Sequence, residues 1–173
     1  NGGGYSASFS GTNVDNANFG DIDALDGLSA FTVTAWIRMN SAGQNGSGRI
    51  FTKRSGSGPD LYYHTTDNEL EFVTDGAANT VFNGGGAIAV EWVFIAVTWT
   101  GGTATFYTGD GTTLSAGDAD TGTAQTLSAT SASLLIGNYS NGARTFDGLI
   151  DNVRIYNPVE DAASLTNIMK FND

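Results

Sequence analysis

The feature that most limits the fold of this chain is a series of short runs in which apolar and polar residues alternate. Clusters of glycine, asparagine, serine and aspartate separate these runs. Alternation with a period of two is typical of strands with one buried face, and these four residue types are typical of turns. Glycine occurs 24 times in 173 residues and proline only twice. The pattern therefore predicts a folded, turn-rich, all-β chain.

The longest alternating run is 31–39. It carries apolar side chains on both faces, with Phe31 on one and Trp36 on the other, so we expect this strand at the centre of a sheet. Segment 160–170 has apolar residues at helical spacing and follows Pro158. About a dozen short strands predict one domain, residues 1–173, folded as a two-sheet antiparallel β-sandwich with one short C-terminal helix. The other expected strands are 6–11, 49–54, 61–65, 70–74, 91–99, 103–108, 134–137 and 146–156.

The chain is strongly acidic, with 18 Asp and Glu against 7 Lys and Arg and a net charge of −11. Of the 18 acids, 14 are Asp, most of them beside turn-forming residues, so the acid belongs to loops. So few cations disfavour nucleic acid or an anionic membrane as a partner. No apolar run approaches the ~20 residues that a membrane span needs. The absence of cysteine excludes disulfides and thiolate metal sites.

Several segments, in order along the chain, resemble one family. The segments are Ser8-Phe-Ser-Gly11, 31–37 with Ile50-Phe-Thr-Lys53, 92–99, Leu135-Ile-Gly137 and, most specific of all, Phe146-Asp-Gly-Leu-Ile-Asp-Asn-Val-Arg-Ile-Tyr-Asn157. They resemble the laminin G-like jelly-roll domains of the concanavalin A-like lectin/glucanase superfamily, over nearly the whole chain. The resemblance implies a curved β-sandwich that occurs mostly as a non-catalytic module of secreted or surface proteins.

The same resemblance implies a structural calcium ion near the junction of the first and last strands. Its ligands would be the Gly11 carbonyl and the Asp151 carboxylate, although the family commonly has an aspartate where this chain has Ser10. The residues give partial support, because Asp151 lies in an apolar run where an unpaired carboxylate is costly. A salt bridge to Arg154 is the alternative.

Catalysis needs a different arrangement. A retaining glycosidase uses two carboxyl groups about 5–5.5 Å apart, and the catalytic relatives place alternating acids on one strand. The nearest match is Glu69-Leu-Glu71, in which Leu70 and Phe72 on the opposite face indicate an ordinary solvated strand exterior. The single histidine, His64, has no Gly-x-Ser-x-Gly elbow to accompany it. The sequence therefore predicts that the chain is not an enzyme.

Carbohydrate binding is the class that remains, because aromatic faces and polar side chains hold sugars. Tyr139 lies beside the Asn141-Gly142 turn and Trp99 at a strand end, so we expect both to be exposed, whereas Trp92 is expected in the core. For each aromatic residue a core position is the alternative. The candidate ligand-binding residues are Tyr139, Trp99, Tyr62, His64, Asn138 and Arg144, with Trp36, Tyr63 and Phe82 as further aromatic candidates.

An acidic segment, 13–23, holds three Asp and three Asn in eleven residues. It is interpreted as a solvated loop, with a second calcium site as the weaker alternative. We therefore expect a calcium-stabilised, non-catalytic carbohydrate-binding or adhesion module, extracellular and part of a larger protein. Its partners would be a glycan or polysaccharide and the remainder of its parent chain. The alternative is a structural spacer domain without a glycan ligand.

Overall fold

The structure is a computed structural model that describes residues 5–12, 14–74, 81–86, 88–122 and 126–171. These ranges hold strands that form two antiparallel sheets and one α-helix. The strands are β1 (Ala7–Ser10), β2 (Ala17–Asp21), β3 (Phe31–Ser41), β4 (Arg49–Thr52), β5 (Asp60–His64), β6 (Glu69–Val73), β7 (Val81–Gly84), β8 (Val93–Trp99), β9 (Thr103–Gly109), β10 (Leu114–Thr121), β11 (Ser133–Ile136) and β12 (Asp147–Tyr156), and the helix is α1 (Ala162–Lys170).

The two sheets confirm the expected sandwich. The first sheet has the order β1-β12-β3-β8-β9-β10, and the second has the order β2-β11-β4-β5-β6-β7. All neighbouring strands are antiparallel. Within the described ranges, no helix combines the length and the apolar composition that a membrane span requires.

Strand β3 lies at the centre of the first sheet, between β12 and β8, as its two apolar faces predict. One face packs into the core between the sheets through Phe31, Val33 and Ile37. Trp36 points from the other face and packs with Phe94 under helix α1. The helix therefore covers the outer face of the first sheet and leaves the second sheet to present the opposite surface of the domain.

Three strands were not expected from the sequence: β2, β7 and β10. Each of them is an edge strand. An edge strand buries little side-chain surface, so it needs no clear apolar alternation and gives a weak sequence pattern. Strand β2 lies within the acidic segment that was interpreted as a loop, of which Asn13 is outside the described residues.

Lys53 follows β4 directly and is a fully buried cation. Its Nζ donates to Asp21 Oδ1 at 2.8 Å, to Asp26 Oδ1 at 2.8 Å and to the Thr130 carbonyl at 2.7 Å. The hydrogen bond from Lys53 holds the pKa of Asp26 below its ordinary value of 3.8. Burial alone would lower the pKa of Lys53, but the two carboxylates raise it. The ammonium group thus joins β4 to the end of β2 and to two segments outside the sheets.

The structure explains why the Phe146-Asp-Gly motif ends in a glycine, Gly148. It has φ +142°, and the β12–β3 register shifts between Asp147 and this residue. A Cβ atom at Gly148 would lie 2.0 Å from the Arg38 carbonyl oxygen, a backbone atom of the neighbouring strand. Only glycine fits this close approach.

We predict that Gly148→Ala destabilises the fold by about 3 kcal/mol or more, because the side chain meets a backbone atom that cannot move away. Urea unfolding measures the loss. Gly27→Ala is the matched control, because Gly27 also has positive φ, +69°, but nothing lies within 4 Å of the place that a Cβ atom would take there. That change should cost about 1 kcal/mol, and equal losses in the two variants would contradict the steric argument.

We also predict that Lys53→Met lowers stability at pH 7 by about 2 kcal/mol, because two carboxylates lose their shared donor. Asp26 has a lowered pKa in the folded state, so its contribution is present above pH 3.8 and is lost as the pH falls through that lowered pKa. The difference between wild type and variant should therefore shrink in urea unfolding at about pH 3. Lys170→Met, at an exposed helix end, is the control, and a pH-independent difference would contradict the account.

Candidate functional site

Alternation in β5 and β6 decides which side chains the second sheet presents to the outside. In β5, Leu61 and Tyr63 belong to the core between the sheets. Tyr62 and His64 therefore point from the opposite, outer face. In β6, Glu71 lies between two core residues and shares that outer face.

The strand register aligns three of these positions in one row. Tyr62 pairs with Arg49 of β4 on one side and with Glu71 of β6 on the other. Tyr139, from the segment after β11, reaches the same place, because the guanidinium carbon of Arg49 lies 5.5 Å from its ring centroid. We call Arg49, Tyr62, His64, Glu71 and Tyr139 the Arg49 patch.

Arg49 is the centre of the patch. Its guanidinium carbon lies 3.7 Å from the Tyr62 ring centroid, within the range of a cation–π contact. Its Nε donates to Asp60 Oδ2 at 3.0 Å and its Nη1 to the Ser47 carbonyl at 2.7 Å. Asp60 is fully buried, which raises its pKa, while the charge of Arg49 opposes that shift. These contacts fix the guanidinium against the Tyr62 ring and near the Tyr139 ring.

The other end of the patch is a hydrogen-bonded network. The Tyr62 hydroxyl donates to Glu71 Oε2, and His64 Nδ1 lies 2.7 Å from Glu71 Oε1 and 2.6 Å from Asp67 Oδ2. Burial, followed by the bond to Glu71, raises the pKa of Tyr62. Burial also raises the pKa of Glu71, whereas the bond to His64 lowers the pKa of Asp67.

Glu71 is 5% exposed, so the interpretation of Glu69-Leu-Glu71 as a solvated strand exterior was wrong for this residue. The reason is the cross-strand row, in which Tyr62 covers one carboxylate oxygen. Sequence alternation gives the face of a side chain but not its partners on the neighbouring strand. The same limit explains why the sequence did not predict Arg49 and Asp60 as residues of the site.

Asn138 is buried and positions the segment after β11. Its Nδ2 donates to the Asp15 carbonyl and to Thr145 Oγ1, and its Oδ1 accepts from the backbone N–H groups of Tyr139 and Arg144. The expectation that Asn138 contacts a ligand was therefore wrong, because its amide is already used. It fixes the backbone that presents Tyr139.

Arg144, the remaining polar candidate, extends the same segment toward the residues before β4. Its Nη1 donates to the Asn45 carbonyl at 3.2 Å and to Ser47 Oγ. Because the Ser47 carbonyl also accepts from Arg49, Ser47 links the two arginines. Arg144 thus lies beside the Arg49 patch and is partly exposed.

Trp99 is a correction to the sequence interpretation. It is fully buried and packs against Phe31 and Phe72, with ring centroids 5.7 and 6.4 Å away. Ile95, Val97 and Trp99 are alternate residues of β8 and all point into the core. The alternation of side chains along the strand therefore decides the burial of Trp99, although it lies at the strand end. The further aromatic candidates Trp36, Tyr63 and Phe82 are buried as well.

Trp92 is the reverse correction, because it is 38% exposed and not a core residue. By alternation Trp92 would lie on the same face as Phe94, which α1 covers. It precedes the first residue of β8, however, and lies outside that packing. Trp92 borders an open cleft of about 470 Å³ that includes Glu91, Thr108, Asp110 and Ser115. Hydrogen bonds from the backbone of Thr113 and from Thr112 hold the pKa of Asp110 at about 2, so this cleft carries a fixed negative charge.

Gly11 and Asp151 do not fit the calcium site that the family resemblance implied. Gly11 N donates to the Phe146 carbonyl at 3.0 Å, so Gly11 lies beside the start of β12. Asp151 lies five residues further along, a distance of about 16 Å at ~3.3 Å per residue. Its Oδ1 accepts from the backbone N–H of Asn152 at 2.7 Å. The two residues cannot ligate one ion.

Two groups of three acidic or imidazole side chains converge within 4.8 Å in the described part of the chain. One consists of Asp21, Asp23 and Asp26, around the acidic segment. The Lys53 ammonium already lies between Asp21 and Asp26, so a buried lysine takes the place of a second calcium ion there. The other group is His64, Asp67 and Glu71.

Comparison with solved structures finds the same fold at low sequence identity. Domain 4 of AbnA, an extracellular arabinanase of Geobacillus stearothermophilus in complex with arabinotriose, is 17% identical with a TM-score of 0.65, covering 98% of this chain and 78% of that one. The CBM40 of a Ruminococcus gnavus IT-sialidase bound to α2,3-sialyllactose is 14% identical with a TM-score of 0.69, covering 96% and 95%. A SAP-like pentraxin of Limulus polyphemus is 16% identical with a TM-score of 0.64, covering 95% and 81%.

No curated protein sequence matches the chain. A family model does match, and it covers residues 10–165, which include every strand except the first part of β1. The chain therefore belongs to the concanavalin A-like lectin/glucanase superfamily, in the family Laminin_G_3.

Proposed function

We propose that this protein is a non-catalytic carbohydrate-binding domain whose ligand lies on the outer face of the second sheet, against Tyr62 and Tyr139. The observation that carries the proposal is that Arg49, hydrogen-bonded to Asp60 and Ser47, lies within cation–π range of both of these partly exposed rings. Aromatic faces pack on the C–H patches of a sugar ring, and flanking planar polar groups bond its hydroxyls. The patch places the Tyr62 and Tyr139 rings beside the planar guanidinium of Arg49.

The similar structures support a carbohydrate ligand. Two of them hold an oligosaccharide, arabinotriose in one and α2,3-sialyllactose in the other. These two sugars differ in size and charge, so the fold itself does not select the ligand. The side chains of the Arg49 patch would select it. The guanidinium groups of Arg49 and Arg144 are donors only, which would favour a glycan with hydroxyl or carboxylate acceptors.

The engagement of the acids supports the non-catalytic part of the proposal. Both Glu71 oxygens are used, one by the Tyr62 hydroxyl and one by His64 Nδ1. Asp60 is fully buried against Arg49. A glycosidase acid must reach the glycosidic oxygen of its substrate, and these buried carboxylates are poorly placed to do so.

We further propose that the domain works outside the cell, as a module of a larger protein. Its acid excess is typical of a soluble extracellular domain, and the similar arabinanase domain belongs to an extracellular enzyme. A binding domain of this kind would hold its parent chain on a polysaccharide or a cell-surface glycan.

We predict that Tyr139→Ala weakens binding of a glycan about five- to tenfold, because a lost stacking contact contributes about 1–1.4 kcal/mol. α2,3-Sialyllactose and arabinotriose are the first probes, followed by a glycan array, and calorimetry measures each affinity. Tyr5→Ala is the matched control, because Tyr5 is fully exposed but precedes β1 of the other sheet. It should leave binding unchanged.

Trp92→Ala distinguishes the patch from the cleft beside β8, and we expect it to retain binding. Loss of binding in Trp92→Ala together with normal binding in Tyr139→Ala would place the ligand in the cleft and contradict the proposed site. If the wild-type domain, presented at high density, binds no glycan of the array, the result would contradict carbohydrate binding and favour the structural spacer.

A further inference from the structure

The β5–β6 hairpin brings together three metal-ligating side chains of two chemical types. His64 ends β5, Asp67 lies in the turn and Glu71 lies in β6. His64 Nδ1 is 2.6 Å from Asp67 Oδ2 and 2.7 Å from Glu71 Oε1, and the three ligand atoms lie within 4.8 Å of one another. We propose that these three side chains bind a divalent transition-metal ion of the zinc type.

The donor set selects the class of ion. Calcium takes oxygen ligands, whereas zinc accepts imidazole nitrogen together with carboxylate oxygen. In a tetrahedral zinc site with bonds of about 2.0–2.1 Å, neighbouring ligand atoms are about 3.3 Å apart. The two distances from His64 Nδ1, 2.6 and 2.7 Å, are about 0.6–0.7 Å shorter than that. Small side-chain rotations would open the cluster enough for the ion.

The charge of the cluster also favours a divalent cation. Two carboxylates meet at one imidazole nitrogen, and Glu71 is almost completely buried. A divalent ion would neutralise both carboxylates. Burying a charge is costly unless it is compensated.

Groups behind the cluster hold its ligands in position. The Tyr62 hydroxyl fixes Glu71 through its other oxygen, Oε2. Asn68 N donates to the His64 carbonyl at 2.9 Å and closes the turn, and Thr65 N donates to the Gly46 carbonyl at 3.0 Å and ties the turn to the segment before β4. Partners of this kind orient metal ligands and strengthen metal binding.

The cluster is open on one side. The side chains of His64 and Asp67 are 33% and 42% exposed, whereas that of Glu71 is 7% exposed. An ion held by three protein ligands here would keep its fourth position toward solvent. The proposal does not depend on glycan binding, because the hairpin supplies all three ligands without a sugar.

The test uses tag-free, chelator-treated protein and zinc chloride alone. We expect saturable binding of one ion in calorimetry and a higher melting temperature, with no comparable effect of calcium or magnesium. His64 is the single histidine in the chain, so its ring nitrogens report directly on the site. In ¹⁵N spectra of the labelled protein, zinc should shift the Nδ1 resonance, and calcium should not.

Variants define the ligands. His64→Gln and Asp67→Asn should abolish the zinc-dependent rise in melting temperature, and Tyr62→Phe should weaken binding about tenfold. Asp23→Asn, in the cluster that Lys53 occupies, is the control and should bind zinc normally. Circular dichroism checks that each variant is folded, and Asp67→Asn lies in an exposed turn where the fold is tolerant.

Two results would overturn the proposal. One is an unchanged Nδ1 resonance at a zinc concentration that saturates any binding, which would mean that the three side chains share only protons. The other is equal zinc affinity in wild type, His64→Gln and Asp67→Asn. Neither result bears on the glycan proposal, which is measured on Tyr139 with a sugar present.

Discussion

The architecture of this domain depends on the packing of alternate side chains of β5 and β6 into the core between the sheets. Leu61 and Tyr63 fill one side of that core, and this fixes Tyr62 and His64 on the outer face. A shift of one residue in register would turn Tyr62 and His64 into the core and Leu61 and Tyr63 to the outer face, so the candidate site would be lost. The candidate site therefore results from the burial of its neighbours.

A consequence of this arrangement is that charges on the second sheet are buried and must be compensated locally. Arg49 compensates Asp60, and Lys53 is held by Asp21 and Asp26. These contacts join separate strands and segments, so they define the geometry of the sheet more than they add to net stability. They also use two of the chain's seven cations inside the fold, although its surface is strongly acidic.

The fold was largely predictable because central strands carry a strong pattern. Strand β3 has two apolar faces and was placed correctly, whereas the edge strand β10 has few apolar residues and was missed. The site was predictable only in part. Tyr62 and Tyr139 both lie against Arg49, and His64 lies beside Tyr62. The place of Arg49 depends on the pairing of β4 with β5, which the sequence of one strand does not give. Strict alternation along β8 would have placed Trp99 in the core with Ile95 and Val97.

The central claim is that the outer face of the second sheet holds a carbohydrate. A titration of ¹⁵N-labelled protein with an oligosaccharide, followed by backbone amide shifts, tests it most directly. The account predicts that the largest shifts belong to residues around Arg49, Tyr62 and Tyr139. Shifts confined to the cleft beside Trp92, or no shifts with any of the oligosaccharides tested, would contradict it.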